Sequence, residues 1–189
     1  MPEDASRANQ LSDAFDRASE ALHESGVKYA LIGGFAVACH GLPRATQDVY
    51  FLISVPRLLL PDLLQSFQQR GFSVDQAVVL RELRDDHLSA IRYGDIRVDL
   101  LDAVLPVFRR AVERAGDHVI RGRTVRVVSP EDLIVLKLIA SRPSDLDDVR
   151  GILAAKRDGL DVDSIRRSVA EVCDEARQLE LERLLQGAG

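Results

Sequence analysis

Two glycines and two acids carry the chemical information in this chain. Gly33 and Gly34 end the apolar run VKYALIGG and lead straight into a short helical segment, AVACHG. Without Cβ atoms, the backbone at such a pair can approach a bulky anion closely. The free N–H groups of the helix start then face a phosphate. Asp48 follows in the next apolar run, TQDVYFLI, and Asp99 lies in another, Ile96-Arg97-Val98-Asp99-Leu100-Leu101. A carboxylate set among such neighbours is costly to bury unless it is paired or bound to a metal. Acids in register beside a glycine turn point to a cation and a polyphosphate held together.

Alternating and helical spacing predict the elements that position these residues. Ala8, Leu11, Phe15, Ala18 and Leu22 recur at three and four, so residues 4–25 read as a helix stopped by Gly26. VKYALIGG and TQDVYFLI read as strands, and on the second of these residues 48 and 50 share a face. Leu60, Leu63, Leu64 and Phe67 mark a helix ending at Gly71, and residues 72–86 fit neither pattern. HLSAIRYG and DIRVDLLDA are two strands joined at Gly94-Asp95, and HVIRGRTVRVVS is a hairpin turning near Gly122, with the helix LPVFRRAVERAG between them. Ser129-Pro130-Glu131 starts a helix, and Ser144 with Asp145 and Asp147 starts another. Val162, Ile165, Val169, Val172, Ala176 and Leu179 predict one long amphipathic helix to follow. The expected architecture is α/β (α+β): a mixed sheet flanked by helices over residues 1–128, with residues 129–189 a helical C-terminal part packed on the same core.

The Gly-Gly pair, the run Arg44-x-Thr46-x-Asp48 and the distant Asp99 resemble the nucleotidyltransferase superfamily with the polymerase-β-like core. Within it, the likeness is to the bacterial AbiEii-like and minimal nucleotidyltransferases. It covers roughly residues 27–101 and extends more weakly to Lys137 and Arg142-x-x-Asp145-x-x-Asp148. The resemblance implies transfer of a nucleoside monophosphate from a nucleoside triphosphate to an acceptor hydroxyl, on an RNA end, a protein or a small molecule. It also implies a toxin–antitoxin setting with a partner protein. Mg²⁺ or Mn²⁺ would be held by Asp48 and Asp99, with Gly33, Gly34, Arg44, Thr46 and Lys137 on the nucleotide. Such chemistry needs the attacking and leaving oxygens stabilised, for which two ions about 4 Å apart are the usual device.

One position departs from the family pattern. Tyr50 stands where the second carboxylate of an Asp-x-Asp is expected. A tyrosine is neutral at pH 7 and a poor Mg²⁺ ligand, so two-ion catalysis is in question, and a catalytically impaired nucleotide- or partner-binding relative is the alternative. Asp102, three residues beyond Asp99, should point to the opposite face of its strand and so does not replace the lost ligand. Each residue has a plainer reading as well. The glycines could make a tight turn, Arg44 and Thr46 could decorate a loop, and Lys137 could lie on a solvated helix face. Asp145, Asp147 and Asp148 are accounted for as helix N-terminal acids that suit the macrodipole. His40 has no Ser or Cys nucleophile arranged around it.

Bulk properties narrow the class. In 189 residues, apolar types make up 46% and charged types 29%, which suits a single folded domain of ordinary size. A formal net charge of -5 argues against a broad grip on long nucleic acid, although arginines far outnumber lysines and could form a local phosphate-binding patch. Cys39 and Cys173 form no zinc pattern and no disulfide framework, which points to a reduced, cytoplasmic protein. No apolar run approaches the roughly 18 residues of a membrane span. No Gly-x-Gly-x-x-Gly follows the first strand, so a dinucleotide-binding Rossmann site fits poorly.

Overall fold

The computed structural model describes residues 2–42 and 44–187. Helix α1 (Pro2–Glu24) leads through Gly26, at φ +64°, into strand β1 (Lys28–Ile32). Helix α2 (Gly33–Cys39) follows without a linker, so its first turn is the glycine pair itself. Strand β2 (Val49–Ser54) and helices α3 (Leu60–Gln69) and α4 (Gln76–Asp85) come next. The hairpin β3 (Leu88–Tyr93) and β4 (Ile96–Asp102) turns at Gly94, at φ +56°. Helix α5 (Pro106–Arg114) separates it from the hairpin β5 (Gly116–Ile120) and β6 (Arg123–Val127). Helices α6 (Pro130–Ala140), α7 (Pro143–Lys156), α8 (Val162–Val172) and α9 (Glu175–Gly187) complete the described chain. None of the described helices is long and apolar enough to cross a membrane.

The strands form one mixed sheet in the order β3-β4-β2-β1-β6-β5. This is the α/β class expected from the sequence. Strand β2 runs antiparallel to β1 and parallel to β4. That register sets Ile32, Tyr50 and Asp99 side by side in one row across three central strands. Their neighbours Leu31, Phe51 and Leu100 form the next row, fully buried, and face the other way. The parallel pairing of β1 with β6 brings the C-terminal helices beside the glycine turn. Val127, Val128, Leu133, Ile134, Val149 and Ile152 belong to the same apolar core as Phe15, Leu31 and Phe51.

Three sequence expectations change. Residues 72–86, which fit neither period, contain α4, whose start is capped by Asp75 accepting from the Val78 N–H at 3.1 Å. The expected single C-terminal helix is two, because Cys173 adopts extended backbone and Asp174 caps a new start by accepting from the Arg177 N–H at 3.0 Å. Leu179, expected on the apolar face, is 53% exposed as a result. Asp48 lies in a bend just before β2 and not within that strand.

Candidate functional site

The bend before β2 and the turn after β1 fold over each other. Gly33 takes φ +71°, a conformation that disfavours any residue with a Cβ, and a Cβ placed there would lie 3.0 Å from Tyr50 Cδ2. A Cβ on Gly34 would lie 2.9 Å from both Cβ and Oγ1 of Thr46. The close approach that the glycines permit is thus to the Tyr50 ring and the Thr46 side chain. Thr46 Oγ1 in turn donates to the Asp48 carbonyl at 3.0 Å, which fixes the bend. The start of α2 has no side-chain cap, since Ile32 occupies the N-cap position.

In front of this turn opens a cavity of about 580 Å³. The volume lies within the ~300–1,000 Å³ common for small-molecule sites. Gly33, Gly34, Arg44, Thr46, Asp48 and Tyr50 form one wall, and Lys137, Arg142 and Asp145 another. Leu101, Phe108, Leu133 and Leu136 make its apolar lining. Six of the seven residues singled out from the sequence therefore meet on one cavity, while Asp99 lies outside its lining.

Asp99 is 2% exposed. Its Oδ1 accepts from Arg97, at 2.8 Å from Nε and 2.6 Å from Nη2, while its Oδ2 is buried with no partner. Burial pushes the Asp99 carboxyl above its usual range, Arg97 pulls it back, and the nearby Asp48 pushes it further up. The same surroundings keep Tyr50 a neutral phenol: burial raises it, Asp99 and Asp48 raise it further, and Arg142 opposes them. Asp102 lines a separate cleft with Arg57 and Arg109.

The oxygen donors here suit one hard divalent cation. Asp48 faces the cavity, and the unpartnered Oδ2 of Asp99 is a carboxylate oxygen with unmet capacity. Tyr50 supplies no anionic oxygen. Among the described residues, no three His, Cys, Asp or Glu side chains gather into a metal-binding group. The donor set is thus two carboxylates, Asp48 at the cavity and the buried Asp99 behind its lining.

The opposite wall is a network whose pairing the sequence does not reveal. Lys137 is buried on α6 and forms ion pairs of 2.7 Å with both Asp145 and Asp148 of α7. Arg142 donates from Nε to Asp145 Oδ2 at 2.7 Å and from its backbone N–H at 3.2 Å, and Arg44 pairs with Asp148. Burial pushes the Asp145 carboxyl up, but Arg142 and Lys137 outweigh it and hold the group below its usual range. Burial also lowers the Lys137 ammonium, against the pull of Asp145. Lys137 is thus no solvated helix residue. Asp145 and Asp148 do more than suit a helix dipole, since they hold three cations at the cavity edge; Asp147 is exposed and pairs with Arg150.

Arg97 is not among the residues that the sequence singles out. The spacing Arg142-x-x-Asp145-x-x-Asp148 was visible, but nothing local tells that Lys137 will reach it. Arg97, two residues before Asp99 on a strand, must share its face. His40 is buried away from the cavity, with Nε2 2.8 Å from the Val128 carbonyl and its ring edge-on to His118.

A family model described as "Nucleotidyl transferase of unknown function (DUF2204)" matches residues 11–186. No curated protein matches the chain. Among solved structures, the antibiotic-resistance factor ANT(2'')-Ia in solution is similar over 96% of this chain and 99% of its own, at 15% identity and a TM-score of 0.58. That likeness establishes a shared fold. An antigenic nucleotidyltransferase-like protein from Paracoccidioides brasiliensis covers 92% of each chain at 15% identity, with a TM-score of 0.47. ANT(2'')-Ia in complex with adenylyl-2''-tobramycin covers 93% of this chain and 97% of its own at 16% identity, again with a TM-score of 0.47.

Proposed function

We propose, since the chain belongs to the nucleotidyl transferase family of unknown function (DUF2204), that it moves a nucleoside monophosphate from a nucleoside triphosphate to an acceptor hydroxyl. The observation that carries this reading is the single cavity on which Gly33, Gly34, Thr46 and Asp48 face Arg44, Lys137 and Arg142. Cations and a glycine turn suit a polyphosphate, and the apolar lining suits a base or an acceptor. Asp48 and Asp99 would hold one Mg²⁺ or Mn²⁺ ion. When bound, such an ion polarises the phosphoryl oxygens and stabilises charge on them.

The chain's own groups then have distinct tasks. The acceptor oxygen bonds to the α-phosphorus as the bond to the β-phosphate oxygen breaks, and pyrophosphate leaves. Asp48, which lines the cavity, would hold the ion there, and Asp99 would help take the acceptor's proton. Arg44 and Arg142 meet the negative charge that builds on the leaving pyrophosphate. Lys137 keeps the two buried carboxylates beneath those arginines compensated.

The finer reading follows the resemblance to AbiEii-like and minimal nucleotidyltransferases: a cytoplasmic protein in a toxin–antitoxin setting, with an RNA end or a protein side chain as acceptor and a partner protein nearby. The test is label transfer from each α-labelled nucleoside triphosphate, with Mg²⁺ or Mn²⁺ and cell extract as the acceptor source. Metal-dependent transfer that vanishes in Asp48→Asn is the expected result. Absence of transfer from every nucleotide by folded protein overturns the enzyme.

Tyr50 favours a second reading, in which the chain binds nucleotide or a partner without transfer. Replacing it distinguishes the two. If Tyr50→Asp creates metal-dependent transfer that the natural chain lacks, the binding reading holds. If the natural chain is active and Tyr50→Asp adds nothing, it falls.

A further inference from the structure

Position 50 lies opposite Asp99 in the β2–β4 register, where a second carboxylate would complete a set for a second cation. It holds a neutral phenol instead. The charge which that cation would bring to the polyphosphate has to come from elsewhere, and the cavity supplies one group poised for the task. The Arg142 side chain is 62% exposed and lines the same cavity as Tyr50.

The guanidinium is fixed before any ligand arrives. Asp145, wholly buried, accepts from Arg142 Nε at 2.7 Å and from its backbone N–H at 3.2 Å. Asp145 is itself anchored by Lys137 at 2.7 Å. Two carboxylates, Asp145 and Asp148, face three cations, Arg44, Lys137 and Arg142, so the cluster keeps one positive charge. The Arg142 Nη1 group has no protein partner among the described residues, which leaves donors free for a phosphate. Arginine suits that role because its planar fork can grip two phosphate oxygens at once.

We propose that Arg142, positioned by Asp145, takes the place of the second divalent cation on a bound nucleoside triphosphate, so that the site works with one ion. The inference rests on the nucleotidyl-transfer reading of the same cavity and deepens it. Arg142 touches the substrate's polyphosphate. Tyr50 lines the same cavity at the position where a carboxylate would have bound metal.

The test counts metal and measures affinity, without turnover. The α,β-methylene analogues of ATP, GTP, CTP and UTP are dialysed to equilibrium against the full chain with Mn²⁺. Bound Mn²⁺ per bound nucleotide is then read. One ion is expected for the natural chain and two for Tyr50→Asp. Arg142→Ala should weaken the analogue by about tenfold or more and keep one ion, because a charge-assisted contact is lost. Arg142→Lys should recover part of that loss. Two ions per nucleotide in the natural chain overturn the proposal and leave nucleotidyl transfer standing. So does unchanged affinity in Arg142→Ala, with folding checked by thermal unfolding. Failure of every analogue to bind the natural chain sinks both.

Discussion

Gly33 shows how tightly single residues determine this site. Its φ of +71° is strained for any L side chain, and its nearest neighbour is the ring of Tyr50. Gly33→Ala is therefore expected to cost about 1–3 kcal/mol, from backbone strain and the clash together. Urea unfolding of Gly33→Ala, Tyr50→Ala and the double variant separates the two causes. A coupling of roughly 1 kcal/mol assigns part of the cost to the ring, and strict additivity rules the clash out. Lys137 makes a second case. Lys137→Met removes the ammonium from between two buried carboxylates, so a loss of about 3–5 kcal/mol is expected. A loss under about 1 kcal/mol would mean that Arg44 and Arg142 suffice to compensate Asp145 and Asp148. The sequence made Asp48, Asp99 and the glycines visible, because acids in apolar strands and paired glycines are locally unusual. It hid Asp145 and Asp148, because an acid in the first turn of a helix already has a sufficient local reason to be there. Only the packing of α6 on α7 makes them partners of Lys137.

At the scale of elements, His40 joins α2 to the far side of the sheet. It follows the last turn of α2, and its Nε2 sits on the Val128 carbonyl at the end of β6. Burial lowers its pKa below the ordinary 6.5; the Val128 carbonyl opposes the shift, His118 on β5 and Lys156 on α7 add to it, and Glu131 on α6 opposes it. The sign follows directly. Below 6.5 the unfolded chain takes up a proton at this position before the folded chain does. Stability is therefore full above 6.5 and falls as pH drops from there toward the folded value. Urea midpoints taken from pH 7.5 to 5 should decline in the natural chain and decline less in His40→Gln. Equal slopes would show that His40 is not the group responsible. Most elements were legible because their ends are chemically marked, as at Gly26, Gly94, Gly122 and Ser129-Pro130. Residues 72–86 were not, since α4 carries only two fully buried apolar side chains, Val79 and Leu83, too few to show a period. The break between α8 and α9 was missed for the opposite reason. The apolar spacing carries on through it, and only the Asp174 cap marks the new start.

The whole molecule has one core, and that makes its division a matter of topology. A boundary at residue 128 separates a sheet with its flanking helices from four further helices. Strand β6 ends at that boundary, and the next residue, Val128, donates its N–H to the Leu31 carbonyl at 3.2 Å, so the chain passes from the sheet directly into α6. Leu133, Ile134 and Leu138 of α6 and Val149 and Ile152 of α7 are each fully buried in the shared cluster. Leaving even one such side chain in water forgoes roughly 1.5–3 kcal/mol, while a whole domain is stable by only about 5–15 kcal/mol. A chain ending at residue 128 would expose the sheet surface that these side chains cover and would lose Lys137 and Arg142 from the cavity. It is expected not to fold alone, whereas residues 1–189 should unfold in one step with coincident circular-dichroism and tyrosine-fluorescence transitions. A truncated chain with its own sharp, reversible transition would refute this, and would place the wall that carries Lys137 and Arg142 on a separable unit.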